Sequence, residues 1–80
     1  MRLPRDISGV DLIKALKSFG YEVTRQTGSH VRLSTSKNGT HHITIPNHSP
    51  LRIGTLAAIL DGVSEHFKIT RQALLQQIGI

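Results

Sequence analysis

The sequence predicts an α+β fold of order α-β-β-β-α, closed by a short C-terminal helix. Three observations predict it. Apolar residues recur at helical spacing after Ser8 and again from Leu56 to Phe67. Between these stretches, three segments alternate apolar and polar residues with the period of two expected for a sheet buried on one face. The length of 80 residues, 38% of them hydrophobic, suits a single domain over residues 1–80 with a thin core.

The first helix starts at Ser8, a good N-cap, with Asp11 three residues on as a shortened capping box. Ile7 and Leu12 occupy the positions of a hydrophobic staple. Leu12, Ile13, Leu16 and Phe19 form its apolar face, and Gly20 supplies a left-handed end. The strands are Tyr21–Gln26, His30–Thr35 and His41–Pro46, the last ended by a proline that cannot donate to a ladder. The second helix carries Leu56, Ile59, Leu60, Val63 and Phe67, with Gly62 as a weak point costing about 1 kcal/mol relative to alanine. Thr70 caps a final short helix bearing Ala73, Leu74, Leu75 and Ile78.

Parity fixes the expected register. A two-residue Asn38-Gly39 turn would set Leu33 opposite Thr44 and scramble the core, because directly paired residues share a face. A three-residue loop, Lys37-Asn38-Gly39, pairs Leu33 with Ile43 and Val31 with Ile45, with Gly39 left-handed. The same reasoning gives a Thr27-Gly28-Ser29 loop, with Val23 opposite Leu33 and Gln26 opposite His30. Both main helices then cover one face of the sheet. The face left open carries Glu22, Thr24, Gln26, His30, Arg32, Ser34, His42 and Thr44.

Composition narrows the function. Without cysteine there are no disulfides, no thiolate catalysis and no cysteine-ligated metal. No apolar run is long enough to span a bilayer, and Met1–Asp6 lacks the apolar stretch of a secretion signal, so the expected setting is cytoplasmic. Ten Lys and Arg against five Asp and Glu give a net charge of +5, which suits a polyanionic partner.

The segment Arg25-Gln26-Thr27-Gly28-Ser29-His30 draws these clues together. Gly28 permits a tight turn or a close approach to a ligand. His30 then leaves the turn on the open face, flanked by Arg25 and Arg32. An imidazole among cations suits proton transfer in phosphodiester chemistry. Arg25 shares parity with the core positions and reaches out only through its place at the strand end. A metal site is disfavoured, because His42 and His48 are poorly spaced and His41 and His42 point to opposite faces of a strand. Ser29 and His30 lack an orienting carboxylate for a hydrolase pair.

The chain resembles the HicA-type (YcfA-like) messenger-RNA interferase toxins. The marks are Phe19-Gly20-Tyr21, then Arg25-Gln26-x-Gly28-Ser29-His30, then Thr44-Ile45-Pro46-x-His48, then Gly54-Thr55-Leu56-x-x-Ile59-Leu60, spread over Gly9 to Leu75. The resemblance implies a double-stranded-RNA-binding-like fold and a ribonuclease with His30 as its catalytic histidine. It also implies a HicB-type antitoxin as inhibitor. Val31 and Arg32 stand where some members carry aromatic or further histidine residues.

In such an enzyme His30 acts as general base and then acid while the RNA 2′-hydroxyl attacks the adjacent phosphorus, without metal or other cofactor. Arg25, Gly28, Ser29, Arg32, Lys37 and His48 are the RNA-binding candidates. His48, two residues beyond the Pro46 that pairs with His30, is the nearer second histidine. His42 lies four strand positions away, roughly 13 Å. His41 and His42 receive no role. The rival reading is an RNA-binding module without catalysis, holding RNA by shape, phosphate and 2′-hydroxyl contacts.

Overall fold

The structure, a computed structural model, describes residues 3–80. Met1 and Arg2, which begin the segment read for a secretion signal, lie outside the described residues. The elements are α1 (Gly9–Leu16), a 3₁₀ turn (Lys17–Phe19), β1 (Glu22–Thr27), β2 (His30–Thr35), β3 (His41–Pro46), α2 (Ile53–Phe67) and α3 (Arg71–Ile78). The strands form an antiparallel sheet of order β1-β2-β3.

The capping box forms at α1. Ser8 Oγ accepts from the Asp11 amide at 3.0 Å, and Asp11 Oδ2 accepts from the Ser8 amide at 3.3 Å. Leu12, Leu16 and Phe19 are buried, and Gly20, at φ 82°, ends the run in the left-handed region. The first turn of α1 rests on the end of β3. The Gly9 amide donates to the His48 carbonyl at 2.9 Å, and a Cβ on Gly9 would run into the Pro46 carbonyl oxygen.

β2 and β3 pair in the expected register: Val31 with Ile45, Leu33 with Ile43, Ser34 with His42. α2 runs unbroken through Gly62 and sets Leu56, Ile59, Leu60 and Val63 into the core. Thr70 caps α3 by accepting from the Ala73 amide at 3.0 Å, and Leu74 and Leu75 extend the same cluster. His30, Arg32, His42 and Thr44 are exposed on the uncovered face.

β1 departs from the parity argument. Val23 does pair with Leu33, but Thr24 is an extra residue, and the ladder resumes one step on with Arg25 opposite Arg32, Gln26 opposite Val31 and Thr27 opposite His30. The loop is therefore the two-residue Gly28-Ser29 turn, with Gly28 at φ 57°. Every residue of β1 is exposed, and Val23, expected in the core, is 50% exposed. The buried Tyr21, just before the strand, supplies the apolar anchor instead. One inserted residue reverses the faces of all that follow, so Gln26 leaves the open face while Arg25 and Thr27 join it.

Two glycine substitutions test this packing in opposite directions. Gly62→Ala meets nothing within 4 Å and is expected to raise stability by about 1 kcal/mol in thermal unfolding. Gly9→Ala drives a methyl into the Pro46 carbonyl and is expected to lower stability by about 1–3 kcal/mol. An unchanged melting temperature for Gly9→Ala would contradict the close approach of α1 to β3.

Candidate functional site

The Gly28-Ser29 turn and the bulge at Thr24 together build the site. The turn brings β1 back so that Thr27 faces His30 directly, and the Ser29 carbonyl accepts from the Asn47 amide at 2.6 Å, tying the turn to the end of β3. The bulge turns Arg25 onto the open face, directly opposite Arg32. Arg25, Thr27, His30, Arg32 and Thr44 line one shallow open groove of about 200 Å³.

The open face reads as three rungs across the strands. The first is Thr27, His30 and Pro46. The second is Arg25, Arg32 and Thr44. The third ends at Ser34 and His42, with Glu22 paired to Ser34 from β1. Side chains link the third rung: Ser34 Oγ lies 2.6 Å from His42 Nδ1 and 3.1 Å from Thr24 Oγ1. The second rung sets two guanidinium groups across a strand pair, a like-charge arrangement that is unfavourable in isolation. Neither arginine has an ion-pair partner among the described residues, where Arg71 and Asp61 form the one ion pair, at 2.6 Å. An imidazole beside two unpaired guanidinium groups is suited to an anionic, proton-exchanging ligand such as a phosphodiester.

A family model, described as the HicA toxin of bacterial toxin–antitoxin systems, matches residues 9–80. The chain belongs to the HicA toxin family. No curated protein and no solved structure matches it. The match spans every element of the fold and includes the Gly28-Ser29-His30 turn.

Of the other candidates read from the sequence, Gly28 and Ser29 form the turn itself. His48 is exposed beyond β3 and is not among the residues lining the groove; its carbonyl holds the Gly9 amide. Lys37 belongs to the β2–β3 hairpin loop, away from the groove, and its carbonyl accepts from His66 Nε2 at 2.9 Å. Among the described residues, no group of three or more His, Cys, Asp or Glu side chains is arranged to hold a metal ion.

His41 and His42 do point to opposite faces, and His41 belongs to a cluster that sequence reasoning missed. Its ring stacks on His66 at 4.5 Å, 10° from parallel. His66 Nε2 faces the carbonyl oxygens of Lys37 and Gly39 at 2.9 and 3.0 Å, so it must carry the proton. The Asn38 amide nitrogen donates to the His66 carbonyl at 2.8 Å. Together these contacts fasten the β2–β3 hairpin to the end of α2. Burial raises the Tyr21 phenol from 10.0 to about 12, and its protonated hydroxyl shares a hydrogen bond with His41 Nδ1, 2.7 Å away. A lone histidine in a strand and another near a helix end carry no mark of this pairing in the sequence.

The His41 pKa is lowered from its ordinary 6.5, first by burial, then by His66 and His42. The folded protein therefore binds fewer protons at this site than the unfolded chain does. The stability this gives is fully present above about pH 6.5 and is lost as pH falls below it. The melting temperature is expected to drop between about pH 7.5 and about pH 5, less steeply in His41→Phe than in the wild type. Equal pH dependence in both proteins would remove His41 as the source.

Proposed function

We propose that this HicA-family toxin is an endoribonuclease, an mRNA interferase that cleaves RNA by attack of the substrate's own 2′-hydroxyl. His30 takes the proton from that hydroxyl, and the oxygen bonds to the adjacent phosphorus. Arg25 and Arg32 hold the non-bridging oxygens as negative charge builds on them. The bond to the 5′-oxygen breaks, and the imidazolium returns its proton to that leaving group. The products are a 2′,3′-cyclic phosphate and a 5′-hydroxyl. No metal enters these steps.

The observation that carries this reading is the directly opposed, unpaired Arg25 and Arg32 beside His30 on an uncovered sheet face. Two guanidinium groups in that position are relieved by an anion lying between them. Thr27 and Thr44 add hydroxyl groups to the same groove. A HicB-type antitoxin is the proposed inhibitor, covering this basic face with acidic or backbone groups, and the proposed compartment is the cytoplasm, where messenger RNA is met. No helix among the described residues is long and apolar enough to cross a membrane.

His30→Ala is expected to abolish cleavage while leaving RNA binding and the melting temperature near wild type, within about 0.5 kcal/mol, because His30 is exposed. Arg32→Ala is expected to weaken RNA binding and make its logarithmic salt dependence shallower by about 1. Cleavage by the wild type should persist in EDTA. A His30→Ala protein that cut RNA at the wild-type rate, or a wild type stopped by chelation, would contradict the mechanism. A wild type that binds RNA and never cuts it would favour the RNA-binding module.

A further inference from the structure

We infer that the row Thr24, Ser34 and His42 is a ribose subsite that engages a 2′-hydroxyl of single-stranded RNA beyond the nucleotide held at His30. The inference rests on the ribonuclease reading of the His30 groove and extends its substrate site along β2.

Three observations lead to it. The row lies on the same open face as His30, and the Arg25–Arg32 rung lies between the two. Ser34 is four positions along β2 from His30, about 13 Å. That span is longer than one nucleotide, so a strand whose cleaved phosphate lies between His30 and the two arginines, and which runs on along β2, reaches this row with its next ribose.

The row is also held in place before any ligand arrives. Ser34 Oγ stands between His42 Nδ1, at 2.6 Å, and Thr24 Oγ1, at 3.1 Å. The bond through Nδ1 orients the exposed His42 ring, and Nε2 has no partner among the described residues. It is free to donate to or accept from a ligand.

The charge of the row selects the ligand group. Glu22 lies opposite Ser34 on the same face. A carboxylate there disfavours a second phosphate and favours a hydroxyl, which can donate as well as accept. The 2′-hydroxyl has this chemistry, and it distinguishes RNA from DNA. The rungs therefore divide the labour: His30 for proton transfer, the arginines for phosphate, and the Ser34–His42 row for ribose.

The experiment uses the His30→Ala protein, so that substrate survives. A fluorescein-labelled RNA of about twelve nucleotides is compared with its all-deoxy counterpart retaining uracil, by anisotropy at fixed salt. The RNA is expected to bind more tightly. Adding His42→Ala should reduce the RNA-over-DNA preference by about three- to tenfold, the effect of one hydrogen bond. Ser34→Ala, which frees the His42 ring, should reduce it in the same direction. Arg32→Ala should weaken both oligonucleotides equally. A purely structural row would leave the preference unchanged in every variant whose circular dichroism and melting match the parent. Binding with an unchanged preference in His42→Ala overturns the subsite alone. Failure of the parent protein to bind either oligonucleotide overturns the ribonuclease reading and the subsite with it.

Discussion

Val31 pairs with Ile45 and Leu33 with Ile43, and these pairs face the helices. Each pair joins apolar residues that share one face, so a shift by a single residue would turn the set to solvent. The helices follow from this pairing. Leu12, Leu16 and Phe19 from the first helical stretch, and Leu56, Ile59, Leu60 and Val63 from α2, have one apolar surface to cover, and they cover it together. Two helices on one side of three strands leave the other side bare. The candidate site is that bare side.

The bulge at Thr24 then decides what the bare side carries. Without it, Arg25 would point toward the core side of β1 and Gln26 would face His30. With it, a second guanidinium group stands opposite Arg32, and a threonine stands opposite His30. The arrangement is costly in the free protein, because like charges are held across a strand pair without a carboxylate between them. A phosphodiester bound between them, as proposed, would remove that cost. β1 tolerates the distortion because it is an edge strand, exposed throughout, with buried Tyr21 anchoring its start.

Much of this was legible in the residues. Ser8, Gly20 and Thr70 act as the helix ends that their side chains predict. The β2–β3 register follows from parity, since one register alone keeps four branched apolar residues together. His30 emerges on the open face because it starts a strand whose core positions are odd-numbered. The β1 register was not legible beyond Val23. Thr24 looks like an ordinary strand residue, and a bulge without glycine leaves no local mark. The stack of His41 on His66 was equally hidden, because it joins positions 25 residues apart and depends on where α2 ends against the hairpin. Gly62, the weak point of the expected second helix, leaves α2 unbroken. Burial of Val63 and Ile59 on either side of it outweighs its weak helix propensity.

The central claim is that RNA lies on the uncovered sheet face across the rungs of His30 and the two arginines. Amide chemical-shift mapping tests it directly, with a short single-stranded RNA titrated into isotope-labelled His30→Ala protein. The account predicts that the shifted amides cluster at Arg25, Thr27, Arg32, Ser34, His42 and Thr44, while those of α2 and α3 stay fixed. Shifts concentrated instead around Asn38, His41, Glu65 and Lys68, on the helix side of the molecule, would contradict it.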